Sequence, residues 1–178
     1  AERLDALERQ AALETTPGVR RALQGEAAAL ATQRGEVERA IALWEMRLQA
    51  DPNDRNALDG LVDRLTSAER WADLAVVLRR RAKADLPPAQ RRADLMQLVR
   101  VQSVHLGEPV QAIATLQELL QSWADDPEAT ETLLDLFAQV ERWPDWLAMG
   151  TKVGEREKAH LVGLFVRLAD LCRTKLHD

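Results

Sequence analysis

Apolar residues recur at intervals of three and four along almost the whole chain, and turn residues interrupt this pattern at regular places. In residues 36–50, for example, Ala40, Ile41, Trp44 and Leu48 lie on one helical stripe. Proline and glycine end one helix and let the next begin. These residues stand at Pro17-Gly18, Gly35, Pro52, Pro87-Pro88, Gly107 and Pro127. The pattern therefore predicts an all-α chain of short antiparallel helices without β-strands.

The same pattern places the ends of the helices. We expect helices over residues 2–14, 19–33, 36–50, 55–67, 70–84, 89–106, from Pro109 to about 122, 128–140, 143–153 and 155–176. The helix over 89–106 is apolar on more than one side, so we expect other helices to cover two of its faces. The last helix would open a further pair, so we expect the chain to be a segment of a longer array.

Two short segments of the sequence each occur twice, 72 residues apart. The segment that begins at Gly35 recurs from Gly107, and the segment Glu69–Asp73 recurs as Glu141–Asp145. Self-similarity at a short fixed period is typical of solenoids, which stack small repeats instead of enclosing one core. We expect one repeat domain over residues 1–178. Its parts would be a partial repeat at 1–18, repeats at 19–54, 55–88, 89–126 and 127–154, and a partial repeat at 155–178.

Composition excludes several classes of protein. The net charge of −5 opposes the attraction to phosphate that dominates nucleic-acid binding. A single cysteine, Cys172, rules out an internal disulfide framework. No glycine-rich phosphate loop or histidine motif is present, so we expect neither an enzyme nor a cofactor. No apolar run approaches the roughly 20 residues of a membrane span, which leaves the compartment undetermined, with the cytoplasm favoured.

Residues 21–54 show a specific order of small and large side chains. Ala28 is small in the first helix, Gly35 stands at the turn, Ala40 opens the second helix and Trp44 is its large aromatic residue. With the closing turn that follows, this segment resembles the tetratricopeptide repeat, a helix-turn-helix unit of about 34 residues. The resemblance implies a right-handed superhelix of helix pairs and a protein-interaction scaffold. Larger residues replace the expected small ones at Leu74, Trp146, Arg47 and Arg81.

In this family the first helices line a concave groove that takes a peptide or a folded partner. The residues of this chain that would face such a groove are Asn56, Asp59, Asp63, Gln97, Val101, Val104, His105, Glu128, Glu131 and Asp135. Their carboxylates around an apolar strip favour a basic amphipathic peptide or a basic patch of a partner protein. The cationic clamp by which some members hold a C-terminal carboxylate is absent. Analogy with large bacterial arrays adds a small GTPase as a partner to consider.

Alternatives to this interpretation stay open. The acidic residues are also what a solvated helix face of an acidic protein shows. The basic run Arg79–Lys83, with Arg91 and Arg92 after it, is consistent either with RNA binding, which is the alternative function, or with outer-surface charge.

The aromatic and apolar residues outside the groove support two further expectations. Four tryptophans fall on packing stripes, which leaves Trp123 as the candidate for an exposed aromatic anchor. The last helix carries more apolar residues than one packing face needs, and this predicts self-association through the terminal helices. The residues concerned are Leu164, Val166, Leu168 and Leu171.

Overall fold

The structure is a computed structural model that describes residues 2–84, 86–156 and 166, and this part of the chain is helical without a β-strand. Nine α-helices and one π-helical turn follow one another in it. They are α1 (Glu2–Leu13), α2 (Pro17–Gln33), α3 (Val37–Ala50), α4 (Arg55–Ser67), α5 (Trp71–Ala82), α6 (Pro88–Arg100), the π-helical turn (Val101–His105), α7 (Pro109–Ser122), α8 (Pro127–Gln139) and α9 (Trp143–Arg156). The predicted all-α repeat fold is confirmed.

The predicted ends of the helices agree with the structure within a few residues, with one exception. Helix α9 continues through Gly154 to Arg156, whereas the sequence predicts a break between 153 and 155. Glycine in a helix interior is unfavourable by only about 1 kcal/mol relative to alanine, so it does not by itself end a helix. The remainder of the helix expected at 155–176 lies, apart from Val166, outside the described residues. Leu164, Leu168 and Leu171 lie there too.

The chain divides into two compact units, Ala1–Glu108 and Pro109–Asp178. The boundary falls inside the expected third repeat, after its first helix. In the first unit each helix from α1 to α6 packs against the next one, and in the second unit α7 packs against α8 and α8 against α9. Within each unit, consecutive helices therefore form the pairs that the repeat pattern predicts.

Two apolar clusters fill the first unit. One joins α1, α2 and α3 through small residues of α2 (Ala27, Ala28 and Ala31) that allow the neighbouring helices to approach closely. The other extends from α3 to α6 and contains mostly leucine and valine. The half-buried indole of Trp44 packs against both clusters. The aromatic residue of the repeat pattern therefore joins successive layers of the core.

Four helices of the described chain are followed by a residue with left-handed backbone, which reverses the chain into the next helix. These residues are Gly35 (φ +73°), Gly107 (φ +66°), Glu69 (φ +54°) and Glu141 (φ +58°). After Glu69, the amide of Arg70 donates to the carbonyl of Leu65 at 3.0 Å and so satisfies a carbonyl at the helix end. The two glutamates occupy equivalent places in the 72-residue period, so the period repeats backbone geometry as well as sequence.

Two arginines that replace small residues of the family pattern are buried with aspartates. Arg47 of α3 donates to Asp54 through Nε and Nη2 at 3.0 and 2.6 Å, and both side chains are about 95% buried. Arg81 of α5 donates in the same way to Asp94 of α6 at 2.9 and 2.6 Å. Each pair ties a second helix to the first helix of the next repeat.

Candidate functional site

The ten residues predicted to face the groove are divided between the two units. Seven lie in the first unit, on α4, α6 and the π-helical turn, and three lie on α8 of the second unit. On α4, the side chains of Asn56, Asp59 and Asp63 are exposed. A site can therefore be described only within one unit, and the candidate site of the first unit lies between α4 and α6.

A cleft of about 540 Å³ lies in the first unit between the end of α4 and the part of α6 from Gln90 to Gln97. Asp63, Arg64 and Gln97 line it, and none of these three side chains has a hydrogen bond or ion pair with another described residue. The structure thus brings together two of the predicted residues, Asp63 and Gln97. It adds Arg64, which the sequence reasoning missed because it considered only one stripe of α4.

The hydroxyl groups at the cleft are already used as donors. Thr66 donates to the carbonyl of Val62 at 2.7 Å and Ser67 donates to the carbonyl of Asp63 at 2.9 Å, both within α4. A hydroxyl oxygen that donates in this way can still accept a hydrogen bond. The wall of the cleft formed by α4 therefore offers acceptors beside the free carboxylate and the free guanidinium.

Arg81 closes the floor of the cleft with a buried network of charges. Besides Asp94 it binds Asp59, whose Oδ1 accepts from Nη1 at 2.9 Å, and Gln90 donates to Asp94 at 2.9 Å. Burial lowers the pKa of Arg81, but the hydrogen bonds and charges of Asp94 and Asp59 outweigh burial and raise the pKa above its ordinary value. Arg81 therefore stays charged.

This network corrects two expectations. Arg81 is only 7% exposed, so it does not belong to an outer surface of positive charge as the basic run suggested. Asp59 already has a cation beside it, so it attracts a basic partner less than a free carboxylate would. The run of consecutive arginines concealed both facts, because sequence alone does not show that the third one faces inward.

The apolar part of the predicted groove is smaller than expected. Val101 is 3% exposed and belongs to the core cluster that contains Leu98, so the expectation that it contacts a partner is wrong. The helix is apolar on more than one side, and Val101 lies on a side that α5 covers. Val104, three residues further on, is 69% exposed. It alone of the two valines presents apolar surface.

His105 ends the π-helical turn and stacks on Trp71 of α5. The two ring centroids are 3.8 Å apart and the rings are inclined by 16°. In this turn the amide of Leu106 donates to the carbonyl of Val101, five residues earlier, at 3.0 Å. His105 is exposed on its other side, so it remains at the edge of the candidate surface while it fixes α5 against the turn.

The three acidic residues of the second unit lie on one side of α8. Glu128, Glu131 and Asp135 are exposed, whereas Leu133 and Phe137 of the same helix are buried. Helical spacing puts these carboxylates on the face opposite the core, as predicted. Their role in binding stays a prediction.

Trp123 follows α7 directly and its side chain is half-buried. It is therefore less available as an aromatic anchor than the sequence suggested. Trp146 of α9 is 6% exposed and lies in the core of the second unit.

The described residues contain no group of three or more histidine, cysteine, aspartate or glutamate side chains placed to hold a metal ion. None of the described helices is both long enough and apolar enough to cross a membrane.

Known proteins resemble this chain in structure. No family model matches the sequence, and no curated protein sequence matches it. The fold is similar to that of YrrB, described as a TPR protein with an unusual peptide-binding site, with a TM-score of 0.50 and 21% identity over 78% of this chain and 69% of that chain. TTC0263 of Thermus thermophilus, a thermophilic TPR protein, matches with a TM-score of 0.44 and 21% identity over 94% of this chain and 87% of that chain.

Proposed function

Because the chain folds as tetratricopeptide-repeat proteins do, we propose that it is a non-catalytic scaffold that holds a segment of another protein between α4 and α6. One observation carries this proposal. Three polar side chains without a partner among the described residues, Asp63, Arg64 and Gln97, converge on one cleft of about 540 Å³. Such a concave surface with a few convergent polar groups is typical of binding sites.

The chemistry of these side chains favours a peptide as the ligand. The amide of Gln97 both donates and accepts, and a peptide group does the same. Asp63 favours a basic residue of the ligand, and Arg64 favours an acidic residue or a carbonyl oxygen. A peptide-binding site is also what is named for YrrB. We therefore propose an extended or helical segment that carries charges of both signs beside an apolar residue.

Apolar contact and charge have separate roles in this proposal. Exposed ion pairs contribute only about 0 to 1 kcal/mol each, so Asp63 adds little affinity. The carboxylate instead guides the approach of a basic segment and increases the association rate. Val104, which is 69% exposed, supplies apolar surface that becomes buried in the complex. Loss of that contact increases the dissociation rate.

The alternative of RNA binding has less support. One of the three consecutive arginines, Arg81, is buried between two carboxylates and is unable to contact phosphate. The net charge of −5 adds a general repulsion.

The proposal is tested with a partner recovered by affinity capture from the cells that make this protein. The rates of binding are then measured for Asp63→Lys and Val104→Asp. We expect Asp63→Lys to slow association several-fold and Val104→Asp to accelerate dissociation about tenfold, which corresponds to roughly 1.4 kcal/mol.

Two matched variants control for general effects of charge and polarity. Glu45→Lys reverses the charge of an exposed side chain on α3, which is the second helix of its repeat. Val76→Asp changes a valine of α5 that, like Val104, is 69% exposed. Both should bind like the unchanged chain. If these controls lose as much binding as the cleft variants, or if only reversal of Arg79 and Arg80 abolishes binding, the proposed site is wrong.

A further inference from the structure

A second cavity, of about 480 Å³, lies in the first unit where α1 and α3 both pack against α2. Its lining shares no residue with the cleft between α4 and α6. Most of its wall is apolar, with Leu43 at the bottom and Ala12, Ala42 and Met46 towards the solvent. The volume is within the range of ligand pockets, roughly 300 to 1,000 Å³.

The small residues explain why this cavity exists. Ala12 on α1 and Ala42 on α3 are too short to fill the space between the two helices, although both helices are held by α2. At one end, Arg39 of α3 binds the carboxylate of Glu8 of α1 through Nε and Nη2, both at 2.7 Å. This ion pair holds the helices at a fixed separation and keeps the cavity open.

A buried amide faces this cavity. Gln24 of α2 is only 8% exposed, lines the cavity, and has no hydrogen-bond or ion-pair partner among the described residues. The residue as a whole is buried, but its amide nitrogen and oxygen are not among the fully buried polar atoms without a partner, so they face the open space of the cavity. The donor and the acceptor of Gln24 are therefore available to a molecule that enters the cavity.

The fold does not need an amide at this position. One 72-residue period later the equivalent residue is Met96, which is apolar and belongs to α6. The equivalents of Leu43 and Met46 are Thr115 and Glu118, so the apolar lining is also specific to the first copy. Gln24 and the apolar wall both depart from the repeated pattern. A ligand that binds in the cavity accounts for both departures.

The charged side chains that line the cavity are of both signs, namely Glu8, Arg20 and Arg39. Both carboxylate oxygens of Glu8 already accept from Arg39. Arg20 stands on α2 and donates through Nε and Nη2 to the carbonyl of Glu14 at 2.9 and 2.6 Å. The apolar wall and the amide of Gln24 are therefore the groups that remain available to a ligand.

We propose that this cavity binds a segment of a partner protein that inserts an apolar side chain between α1 and α3. One backbone peptide group of the segment pairs with the amide of Gln24, because a primary amide donates and accepts as a peptide group does. This second surface is independent of the cleft between α4 and α6.

The test uses the full chain and a labelled synthetic peptide. The peptide is an amphipathic helix with leucine at positions i, i+3, i+4 and i+7 and lysine elsewhere, and fluorescence anisotropy measures its binding. Ala42→Phe fills the cavity from an exposed position and should weaken binding about tenfold or more, whereas Gln24→Met should weaken it several-fold.

The repeat provides a matched control for Ala42→Phe. Ala114 of α7 is the equivalent residue 72 positions later and is also exposed, so Ala114→Phe should leave binding unchanged within about twofold. Nuclear magnetic resonance adds a direct reading, since the side-chain amide signals that vanish in Gln24→Met should shift when the peptide binds. These signals identify Gln24 without any assumption about affinity.

Three results would overturn the proposal. The first is that the lysine peptide does not bind the unchanged chain. The second is that Ala42→Phe binds the peptide as well as Ala114→Phe does. The third is that the Gln24 amide signals do not shift when the peptide saturates the chain. Loss of peptide binding in Asp63→Lys but not in Ala42→Phe would place the peptide in the cleft between α4 and α6. That result supports the proposed function and rejects this second site.

Discussion

The connection from α3 to α4 and the connection from α7 to α8 follow the same sequence pattern, one in each compact unit, but they bury different side chains. In both, an aspartate caps the second of the two helices. Asp54 accepts from the amide of Ala57 at 3.1 Å, and Asp126 accepts from the amide of Ala129 at 3.0 Å. The two connections therefore share their helix cap.

The side chains that pack beside the two caps differ in charge. Arg47 lies against Asp54 in the first connection, and its guanidinium also lies 5.1 Å from the ring centroid of Trp44. Leu119, the equivalent of Arg47, is completely buried in the second. A buried ion pair and a buried leucine thus fill equivalent positions of one fold.

The space around the two connections differs in size as well. A Cβ atom added to Gly60 would lie 2.5 Å from Cε2 of Trp44, so the indole occupies the place of a side chain on α4. The second unit has Leu116 in place of Trp44 and Thr132 in place of Gly60. The 72-residue period therefore preserves the residues that determine the backbone conformation. The residues that fill the core differ between the two copies, and neighbouring core residues change together.

Arg47→Leu, which copies the second connection into the first, should have the largest effect. The change removes the close cation of the buried Asp54 and leaves only the more exposed Arg21, at 3.8 Å. Removal of one partner from a buried pair is unfavourable by about 3 to 5 kcal/mol. Chemical denaturation followed by circular dichroism measures the loss. Arg47→Leu combined with Asp54→Ser, which keeps a helix cap, should recover most of it. A loss below about 1 kcal/mol in the single variant would show that the pair is not what stabilises this connection.

Gly60→Ala should destabilise the first unit by about 1 to 3 kcal/mol, because the new methyl group collides with Trp44. An alanine in place of glycine inside a helix normally stabilises it by about 0.5 to 1 kcal/mol, so the expected sign is the reverse of the usual one. Thr132→Ala, the matched change in α8, should be neutral or slightly stabilising. The free energy of unfolding of both variants decides between these signs.

A second background tests whether the indole causes this effect. If it does, the change in unfolding free energy caused by Gly60→Ala has the opposite sign when the indole is absent. In a chain that already carries Trp44→Leu, Gly60→Ala should stabilise. If it destabilises equally in both backgrounds, the collision with Trp44 is not the cause.

Asp54→Ala should destabilise the first unit by several kcal/mol. It removes a helix cap, which contributes about 1 kcal/mol, and it leaves the buried Arg47 without its carboxylate. Denaturation measures the loss. A loss of only about 1 kcal/mol would mean that the arginine adds nothing to the first connection.

Glu69→Gly should have the smallest effect. Glu69 has left-handed backbone, which glycine adopts without steric penalty, while glycine also makes the unfolded chain more flexible. The net expectation is a stabilisation of about 0 to 1 kcal/mol, measured by denaturation. A clear destabilisation would show that the left-handed backbone is not strained at this connection.

The sequence predicts the fold well because its strongest signals act locally. Proline, glycine and the capping aspartates determine where a helix can begin or end, and they do so within a few residues of their own position. The 72-residue period then indicates which of these local signals repeat. The helix ends and the fold class follow from such signals without knowledge of tertiary contacts.

The candidate sites were predicted less well because they depend on how helices pack. Val101 and Arg81 are buried by neighbouring helices that the pattern of a single helix does not reveal. Gln24 was overlooked although it precedes Ala27, Ala28 and Ala31 at helical spacing, a signal that places it on the buried side of α2. The cavity itself arises from small residues on α1 and α3, and only the structure shows that they face each other.

Hydrogen–deuterium exchange of the chain, alone and bound to the partner recovered by affinity capture, tests the central claim most directly. The claim is that the cleft between α4 and α6 holds the partner. Binding there should slow exchange in the last turns of α4 and in α6 from Gln90 to Gln97, because these backbones open less often when a ligand covers them. Exchange that stays unchanged in both helices while the partner protects other parts of the chain would contradict the claim.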